Sequence, residues 1–193
     1  FPEIKATFSE QGVLHESAAA ALGLAVGTPI TYRAGDQPNN ALSLNVLRPG
    51  EVAATGGTSG VVYGVVDEPV YDPKSRVNGF AHVNYQAATP RIGILLCING
   101  AGIQHSWMKQ IAGPELDYEE VNRLAAEVPV GADGLVVLPY GNGAERVLEN
   151  RQIGAQISGL NFNRHNRAHL FRAGLEGIAF AFVHGIRILK DMG

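Results

Sequence analysis

The chain has few of the residues that often mark a function by themselves. Its 193 residues include one cysteine, one tryptophan and two methionines. The single Cys97 excludes an internal disulfide, and its place in the apolar run 92–98 predicts that it fills core space. Basic residues are also few, since 15 Lys and Arg stand against 18 Asp and Glu. Without a basic run to neutralise a row of phosphates, the sequence predicts no nucleic-acid partner.

Long apolar runs are missing as well. Gly, Asn or a charged residue interrupts each apolar stretch short of a membrane span, and the first residues lack the order of a signal peptide. The sequence therefore predicts a soluble, cytoplasmic protein without a membrane partner, long enough for one core. The chain starts at Phe1 without a methionine and stops at Gly193 directly after a helix pattern, so we expect both ends to be cuts.

Strand and helix patterns alternate along the chain, which predicts an α/β fold. A helix over 16–24 is expected to end at Gly23, and a second helix is expected to follow the N-cap Asp117. Residues 135–139 have the pattern of a buried strand, and residues 167–189 carry a long apolar stripe at helical spacing.

The β-prone segment 28–33 leads to Gly35 and Asp36. We therefore expect Asp36 at the carboxyl end of a strand, where open α/β sheets bind ligands. Residues 41–47, which follow, fit the start of a helix and a strand about equally well.

A glycine-rich turn follows twenty residues after Asp36. β-branched residues on both sides of Gly56-Gly57-Thr58-Ser59-Gly60 predict a β-hairpin. The turn lacks the Gly-Lys-Ser/Thr of a Walker loop. Its exposed backbone N–H groups and its two hydroxyls could still hold phosphates if magnesium supplies the charge. Taken alone, Gly35-Asp36-Gln37 and this hairpin are also ordinary turn sequences.

A second glycine turn follows the buried strand predicted over 92–98. The helix predicted after this turn has Ile103, Trp107 and Ile111 at helical spacing. These three side chains are expected to form its buried face, so Trp107 is expected in the core.

An ordered set of short segments covers nearly the whole chain. In order, they are Ala34-Gly35-Asp36-Gln37, Leu47-Arg48-Pro49-Gly50-Glu51, Thr55-Gly56-Gly57-Thr58-Ser59-Gly60, Gly79-Phe80-Ala81-His82, Asn99-Gly100-Ala101-Gly102-Ile103-Gln104, Val137-Leu138-Pro139-Tyr140 and Arg167-Ala168-His169-Leu170-Phe171. Each segment is common alone, but the ordered set resembles the second lobe of the FGGY carbohydrate kinases. Gly143-Ala144-Glu145-Arg146-Val147 departs from the Gly-Glu-Arg-x-Pro run that is usual in that family.

The resemblance implies the actin-like ATPase (ribonuclease H-like) fold, in which two lobes enclose a deep cleft. Residues 1–35 would be the tail of the first lobe and the junction between the lobes. Residues 36–193 would be the second, nucleotide-side lobe without its C-terminal part. The phosphate loop, the acidic residue and the sugar contacts of the first lobe would then be absent, so the chain alone is expected to be inactive.

The resemblance also implies roles for individual residues. Asp36 would be the catalytic proton acceptor for the sugar hydroxyl that attacks the γ-phosphorus of ATP. Asp36 and Gln37 would contact the sugar, and ATP would bind with Mg²⁺ without a metal-ligating residue from this chain. The residues that match the ATP contacts are Gly57, Thr58, Ser59, Gly100 and Gln104.

Within the family, the chain is most similar to the members that convert D-xylulose to D-xylulose 5-phosphate. Kinases for other ketoses or polyols share this lobe, so another sugar stays an alternative, although glycerol is disfavoured. A non-enzymatic, actin-like nucleotide-binding module is a second alternative, and such a module would not need a base at Asp36. An exposed apolar face at the junction would leave a homodimer open.

The histidines suggest a competing interpretation. His165 and His169 are four residues apart and would share one helix face, as the two histidines of a zinc site do. No Glu follows His165 directly, and the resemblance explains the segment without a metal. His82 and His105 are expected to pack or to form hydrogen bonds rather than to catalyse.

Overall fold

The computed structural model describes residues 5–192 and places five α-helices and eight β-strands in that range. The helices are α1 (Glu16–Leu22), α2 (Asp36–Ser43), α3 (Ala101–Ala112), α4 (Tyr118–Glu127) and α5 (Arg167–Lys190). The strands are β1 (Gly12–Val13), β2 (Pro29–Ile30), β3 (Val52–Gly56), β4 (Gly60–Val66), β5 (Asn78–Ala81), β6 (Ile92–Ile98), β7 (Val136–Leu138) and β8 (Gln156–Ser158). Two 3₁₀ turns are Ala132–Gly134 and Arg146–Leu148. The expectation about cut ends falls on Phe1 and Gly193, which lie outside the described residues.

Four of the strands form one sheet in the order β3-β4-β6-β5. β1 pairs antiparallel with β2, and β7 pairs antiparallel with β8. The chain divides into two compact units. The first unit comprises Phe1–Ala53, Tyr63–Val70 and Gly79–Ile94, and the second comprises Ala54–Val62, Tyr71–Asn78 and Leu95–Gly193.

Several elements begin and end where local sequence signals predict. α1 ends at Gly23, which adopts the left-handed conformation with φ 66°. α4 follows Asp117, whose carboxylate accepts the N–H of Glu120 at 2.8 Å. β3 and β4 form the expected hairpin. Neither alternative for residues 41–47, a helix start or a strand, is correct: α2 begins earlier, at Asp36, and ends at Ser43, and the left-handed Asn45 follows in a turn.

The core of the second unit lies between its helices and β7. Met108 of α3, Val121 of α4 and Phe171 of α5 are buried in one apolar cluster together with Leu135 and Val137. A neighbouring cluster in the same unit includes side chains from β4, β6 and α5. The described part of the chain contains no helix with both the length and the apolar character needed to cross a membrane.

The buried face of α3 differs from the predicted one. Trp107 is 49% exposed and Ile111 is 63% exposed, so the expectation that Trp107 lies in the core was wrong. The buried residues of this helix are instead Ala101, Gln104 and Met108. α5 determines this choice, because it packs against α3 on the side of Gln104 and Met108.

α5 approaches its neighbours through three glycines on its buried face. A Cβ on Gly174 would collide with the sulfur of Met108, and one on Gly177 would overlap with the carbonyl of Val137. A Cβ on Gly185 would lie only 3.0 Å from a methyl group of Leu96. The backbone of this 24-residue helix therefore lies closer to α3 and to the strands than any larger residue would allow.

The connection between β4 and β5 contains a buried ion pair. The Asp72 carboxylate, whose side chain is 2% exposed, accepts bonds from Nε and Nη2 of Arg76 at 2.9 and 3.0 Å. It also accepts the backbone N–H of Arg76 at 2.7 Å. Mainly because of the guanidinium bond, the pKa of Asp72 falls from 3.8 to about 2.

Asp72→Asn is expected to lower the free energy of unfolding by about 1–3 kcal/mol near neutral pH, because buried Arg76 donors lose a charged acceptor. The folded-state pKa lies below the usual value, so this contribution is complete above pH 3.8 and is lost as the pH falls towards about 2. Urea unfolding of the wild type and of Asp72→Asn between pH 7 and pH 3 measures this effect. The difference in their free energies of unfolding should become smaller as the pH falls.

The control for this prediction is Glu149→Gln. Glu149 pairs with Lys74 at 2.8 Å, but the two side chains are 46% and 55% exposed, so the loss should be small at every pH. A constant difference between the wild type and Asp72→Asn at all pH values would contradict the assigned titration.

Candidate active site

The turn that joins β6 to α3 is built around a glycine and a buried carboxylate. A Cβ on Gly100 would overlap with the backbone carbonyl of Pro139, so only glycine fits there. Glu145 is fully buried and accepts the N–H of Asn99 at 3.0 Å and that of Gly100. Loss of solvation raises the pKa of the Glu145 carboxyl, and the two N–H groups only partly oppose this. The carboxylate thus fixes the peptide groups that lead into α3.

The tip of the β3–β4 hairpin lies on the first turn of α3. The N–H groups of Gly102 and Ile103 donate to the carbonyls of Gly57 and Thr58, both at 3.0 Å. Because first-turn N–H groups have no partner inside a helix, the hairpin acts as a cap for α3. The N–H of Gly57 donates to the carbonyl of Ser59 at 2.9 Å. It is therefore bonded within the tip rather than an exposed donor, which corrects the expectation for this group.

Gly102 allows the hairpin to approach so closely. A Cβ at this position would collide with the carbonyl oxygen of Gly57 and would lie 3.0 Å from its carbonyl carbon. Both partners are backbone atoms, which cannot turn away as the end of a flexible side chain could. The two glycines therefore set the distance between the hairpin tip and the helix.

A cavity of about 230 Å³ lies along one face of α3. Its lining residues are Gly100, Ile103, Gln104, Trp107, Pro139, Gly141, Asn142 and Ala155. The lining carries no charged side chain, and the half-exposed ring of Trp107 forms part of its wall. A site of this kind suits a flat, largely apolar ring system better than an anion.

Gln104 supplies a polar group to this cavity. Its side chain is buried, and Nε2 donates to the carbonyl of Gly174 at 3.0 Å. Its Oε1 is buried without a hydrogen-bond partner among the described residues. An unsatisfied buried acceptor costs about 1–3 kcal/mol, and because this oxygen is closed to solvent, only a turn of the amide group would bring it to a ligand N–H.

A more open groove of about 460 Å³ lies beside the hairpin tip. Its lining residues are Gly56, Gly57, Thr58, Gly102, Ile103, His105, Ser106 and Tyr118. The rings of His105 and Tyr118 stack with their centroids 5.3 Å apart. Burial lowers the pKa of His105, so this ring is neutral near pH 7 and adds no positive charge to the groove. The lining therefore offers hydroxyl groups and backbone, and the ammonium of Lys109 lies 5.7 Å from the centre of the Tyr118 ring.

Asp36 and Gln37 belong to the first compact unit. They open α2 instead of ending a strand, because β2 already ends at Ile30, so the expected position of Asp36 in a strand was wrong. Pro38 fits the first helical turn, where no N–H is needed. The Asp36 carboxylate is exposed and accepts the N–H of Gln37 at 2.8 Å. The carboxylate thus faces solvent at the start of α2.

The structure brings five of the seven predicted site residues together in the second unit. Gly57, Thr58 and Ser59 form the hairpin tip, and Gly100 and Gln104 lie at the start of α3. Residues 52–193 match the C-terminal domain of the FGGY family of carbohydrate kinases. The chain belongs to this family.

Two curated relatives and one solved structure illustrate its place among the FGGY kinases. The xylulose kinase of Bacillus subtilis (strain 168) is 29% identical over 182 residues, which cover 94% of this chain and 36% of that protein. The gluconokinase of Bacillus licheniformis is 30% identical over 174 residues, which cover 84% of this chain and 32% of that protein. The crystal structure of xylulose kinase from Rhodospirillum rubrum matches with a TM-score of 0.81 and 32% sequence identity. The match covers 98% of this chain and 37% of that chain.

These comparisons confirm the predicted fold class, because the FGGY kinases have the actin-like ATPase fold. The chain spans about a third of the length of the relatives that it matches. The match therefore concerns one part of an FGGY kinase architecture.

The two neighbouring histidines of this FGGY chain have protein partners. His165 accepts the N–H of Asn161 at 3.0 Å, and its other ring nitrogen lies 3.1 Å from the carbonyl of Asp133. His169 bonds to the side chain of Asn166 at the start of α5. Among residues 5–192, no group of three or more His, Cys, Asp or Glu side chains is placed to hold a metal ion.

The sequence did not reveal the role of Glu145 in this FGGY chain. In the sequence, Glu145 stands out only because the segment 143–147 differs from the usual family pattern. In the structure, its carboxylate accepts the N–H groups of Asn99 and Gly100. Its distance of 46 residues from Asn99 along the chain leaves no local pattern to detect. The only hint in the sequence is an acidic residue close to the apolar pair Val147 and Leu148, and this hint does not identify its partners.

Proposed function

We propose that this chain is part of a kinase that transfers the γ-phosphoryl group of ATP to a hydroxyl group of a sugar. Residues 36–193 would belong to the nucleotide-side lobe of that kinase, and residues 1–35 would precede it as the junction. The observation that carries the proposal is the cavity on α3, with the unpartnered Oε1 of Gln104, next to a glycine hairpin that caps the same helix. Family membership supports the reaction class.

In this proposal the adenine ring occupies the cavity. Trp107 and Ile103 would contact its faces, and a turn of the buried Gln104 amide would bring Oε1 to an exocyclic N–H of the base. Gly100 would leave room for the nucleotide, because no side chain can stand there. The uncharged lining agrees with a site that binds a base rather than phosphates.

The triphosphate would extend towards Gly57, Thr58 and Ser59 at the hairpin tip. The groove beside the tip provides hard oxygen donors in the form of hydroxyl groups, and Lys109 lies against the ring of Tyr118 in its wall. Mg²⁺ usually binds through few protein ligands together with phosphates and waters, and in this proposal the phosphates of ATP supply its ligands. When bound, Mg²⁺ would neutralise charge on the phosphates.

Asp36 would act as the proton acceptor. As the sugar oxygen forms its bond to the γ-phosphorus, its proton would pass to the Asp36 carboxylate while the bond to the ADP oxygen breaks. Gln37 would hydrogen-bond the sugar beside it. The exposure of the carboxylate at the start of α2 supports this role.

D-xylulose is the substrate that we propose, with D-xylulose 5-phosphate as product. Xylulose kinases of two organisms are among the relatives, each matching more than nine tenths of this chain. Gluconate is the second candidate, because a gluconokinase is 30% identical. We propose that the enzyme is cytoplasmic, where it would meet both ATP and the sugar.

An assay of ADP release by the whole kinase tests this function. D-xylulose, D-ribulose, gluconate and glycerol would be compared at saturating MgATP, and we expect the highest kcat/KM with D-xylulose. A preference for gluconate would contradict the substrate but not the reaction. Absence of sugar-dependent ADP release with a full panel of ketoses, polyols and sugar acids would contradict the reaction itself. The 193-residue chain alone is expected to release no ADP, since it spans a third of its relatives.

A further inference from the structure

A fully buried chain of hydrogen bonds lies in the first compact unit. His82 has no solvent exposure, and its Nδ1 lies 2.9 Å from the hydroxyl of Tyr63, which is 1% exposed. Its Nε2 lies 3.0 Å from the carbonyl oxygen of Val46. Three segments that are far apart in sequence are thus connected through one imidazole ring.

The partners determine the protonation of this ring. The carbonyl of Val46 can only accept, so Nε2 carries the hydrogen and Nδ1 accepts from the hydroxyl of Tyr63. Loss of solvation lowers the pKa of His82, and the bond to Val46 opposes this only in part. The neutral ring therefore satisfies both polar neighbours at once.

The bond to Val46 fixes the chain just after α2. The N–H of Val46 donates to the carbonyl of Ala41 in that helix at 2.9 Å, and Asn45 between them is left-handed with φ 57°. Val46 is therefore held on one side by α2 and on the other by His82. A shift of its carbonyl would pull on the last turn of the helix.

Neighbouring side chains hold the next residues in the same way. Asn84 Nδ2 donates to the carbonyl of Leu47 at 3.0 Å. The Glu51 carboxylate accepts the N–H groups of Leu47 and Arg48 at 2.7 and 2.9 Å. The peptide groups of residues 46–48 are thus bound by side chains from three different positions, an arrangement that fixes one conformation.

Gly93 makes this arrangement sterically feasible. A Cβ at this position would overlap with the phenol oxygen and ring of Tyr63. Without a side chain there, the Tyr63 hydroxyl can reach His82. The geometry of the hydrogen-bonded chain is therefore built into the packing of β6 as well as into its own members.

We infer that His82 is a positioning residue for catalysis: with Tyr63 behind it, it fixes the C-terminal end of α2 and thereby orients the Asp36 carboxylate in the first turn of that helix. The inference rests on the proposed role of Asp36 as proton acceptor. α2 has only eight residues, so a change at its end reaches its start within about two turns. Small displacements of a catalytic group can cost about 10²-fold in rate.

The test uses three variants of the whole kinase. His82→Leu removes both hydrogen bonds, whereas His82→Gln keeps an N–H donor for Val46, and Tyr63→Phe removes only the outer hydroxyl. We expect His82→Leu to lower kcat by about 10- to 100-fold with the KM for ATP within twofold of the wild type. His82→Gln should recover most of kcat, and Tyr63→Phe should lie between the two. Loss of kcat in His82→Gln equal to that in His82→Leu would overturn the inference.

A double variant tests whether His82 acts through Asp36. In an Asp36→Asn background, His82→Leu should lower kcat no further, because the group that it positions is already absent. An equal loss in both backgrounds would overturn the inference. Val83→Ala is the matched control: this buried neighbour of His82 can be shortened without touching the hydrogen bonds, and kcat should stay within twofold at temperatures where the variant is folded.

Hydrogen–deuterium exchange separates this inference from the proposed function. In His82→Leu, amides of the peptide covering residues 36–47 should exchange at least about tenfold faster, and His82→Gln should restore protection. Unchanged exchange would overturn the positioning role. If Asp36→Asn keeps normal kcat, the proposed proton acceptor fails, and the exchange data still decide whether His82 holds α2.

Discussion

Asp36→Asn in the whole kinase is expected to lower kcat by about 10²- to 10⁴-fold, with ATP binding nearly unchanged. The amide has the size of the carboxylate but cannot accept the proton of a sugar hydroxyl. The side chain is exposed at the start of α2 and accepts the N–H of Gln37, a bond that the Asn oxygen can keep. Steady-state kinetics with saturating sugar, and ATP affinity by calorimetry, measure the two effects separately.

Asp67→Asn is the matched control for this variant. Asp67 is exposed in the same compact unit and lies outside the proposed site, so the same chemical change should leave kcat within twofold. A kcat of Asp36→Asn within threefold of the wild type would remove Asp36 from the mechanism. Such a result would favour a nucleotide-binding module, which needs no base, or a base elsewhere in the protein.

Gly102→Ala is expected to weaken nucleotide binding at least about tenfold, an effect of about 1.4 kcal/mol or more. The added Cβ would collide with the carbonyl of Gly57, so the hairpin tip must move away from α3. The bonds from the N–H groups of Gly102 and Ile103 to the tip would lengthen. We also expect a loss of about 1–3 kcal/mol in the free energy of unfolding, which is typical of overpacking. Calorimetric titration with ADP and thermal unfolding measure these effects.

Gly56→Ala provides the control in the same hairpin. A Cβ at Gly56 has no other atom within 4 Å, and the backbone there is not left-handed, so alanine fits without displacement. The free energy of unfolding should therefore stay within about 0.5 kcal/mol of the wild type. Gly56 also lines the groove proposed for the phosphates, so the control concerns stability alone. A loss of stability in Gly56→Ala equal to that in Gly102→Ala would show that the hairpin responds to any loss of glycine, and the close approach at Gly102 would not be the cause.

Much of the fold is encoded in local signals that the sequence shows directly. The left-handed Gly23 ends α1, the Asp117 carboxylate caps α4, and glycines between β-branched residues form the β3–β4 hairpin. Each of these signals depends on neighbours within about four residues. Patterns of this length can be interpreted without knowing the tertiary structure.

The buried side of α3 could not be predicted in this way. Periodicity alone favours the larger apolar side chains, including Trp107, as the core face. The structure instead buries Gln104 and Met108, because Gly174 of α5 leaves room for them. The choice depends on a residue about seventy positions away, and the exposed Trp107 becomes part of a cavity wall. Functional surfaces are a common reason for such a reversal.

The positions of Asp36 and His82 show a similar division. The role of Asp36 stays a prediction, and the strand expected before it was too long, since only Pro29 and Ile30 pair with β1. For His82 the expectation of packing and hydrogen bonding is confirmed. Its partners Tyr63 and Val46, at separations of 19 and 36 residues, could be found only from the tertiary structure.

The three buried glycines of α5 also have a consequence for how the chain folds. Glycine lowers helix stability by about 1 kcal/mol relative to alanine, so Gly174, Gly177 and Gly185 make this sequence a weak helix by itself. The surfaces that compensate for this weakness come from α3, β6 and β7, all of which precede α5 in the chain. During synthesis these elements emerge first, and α5 becomes stable only when it can dock on them. We therefore expect α5 to form its stable helix late in folding, when it packs onto the rest of the core of its unit.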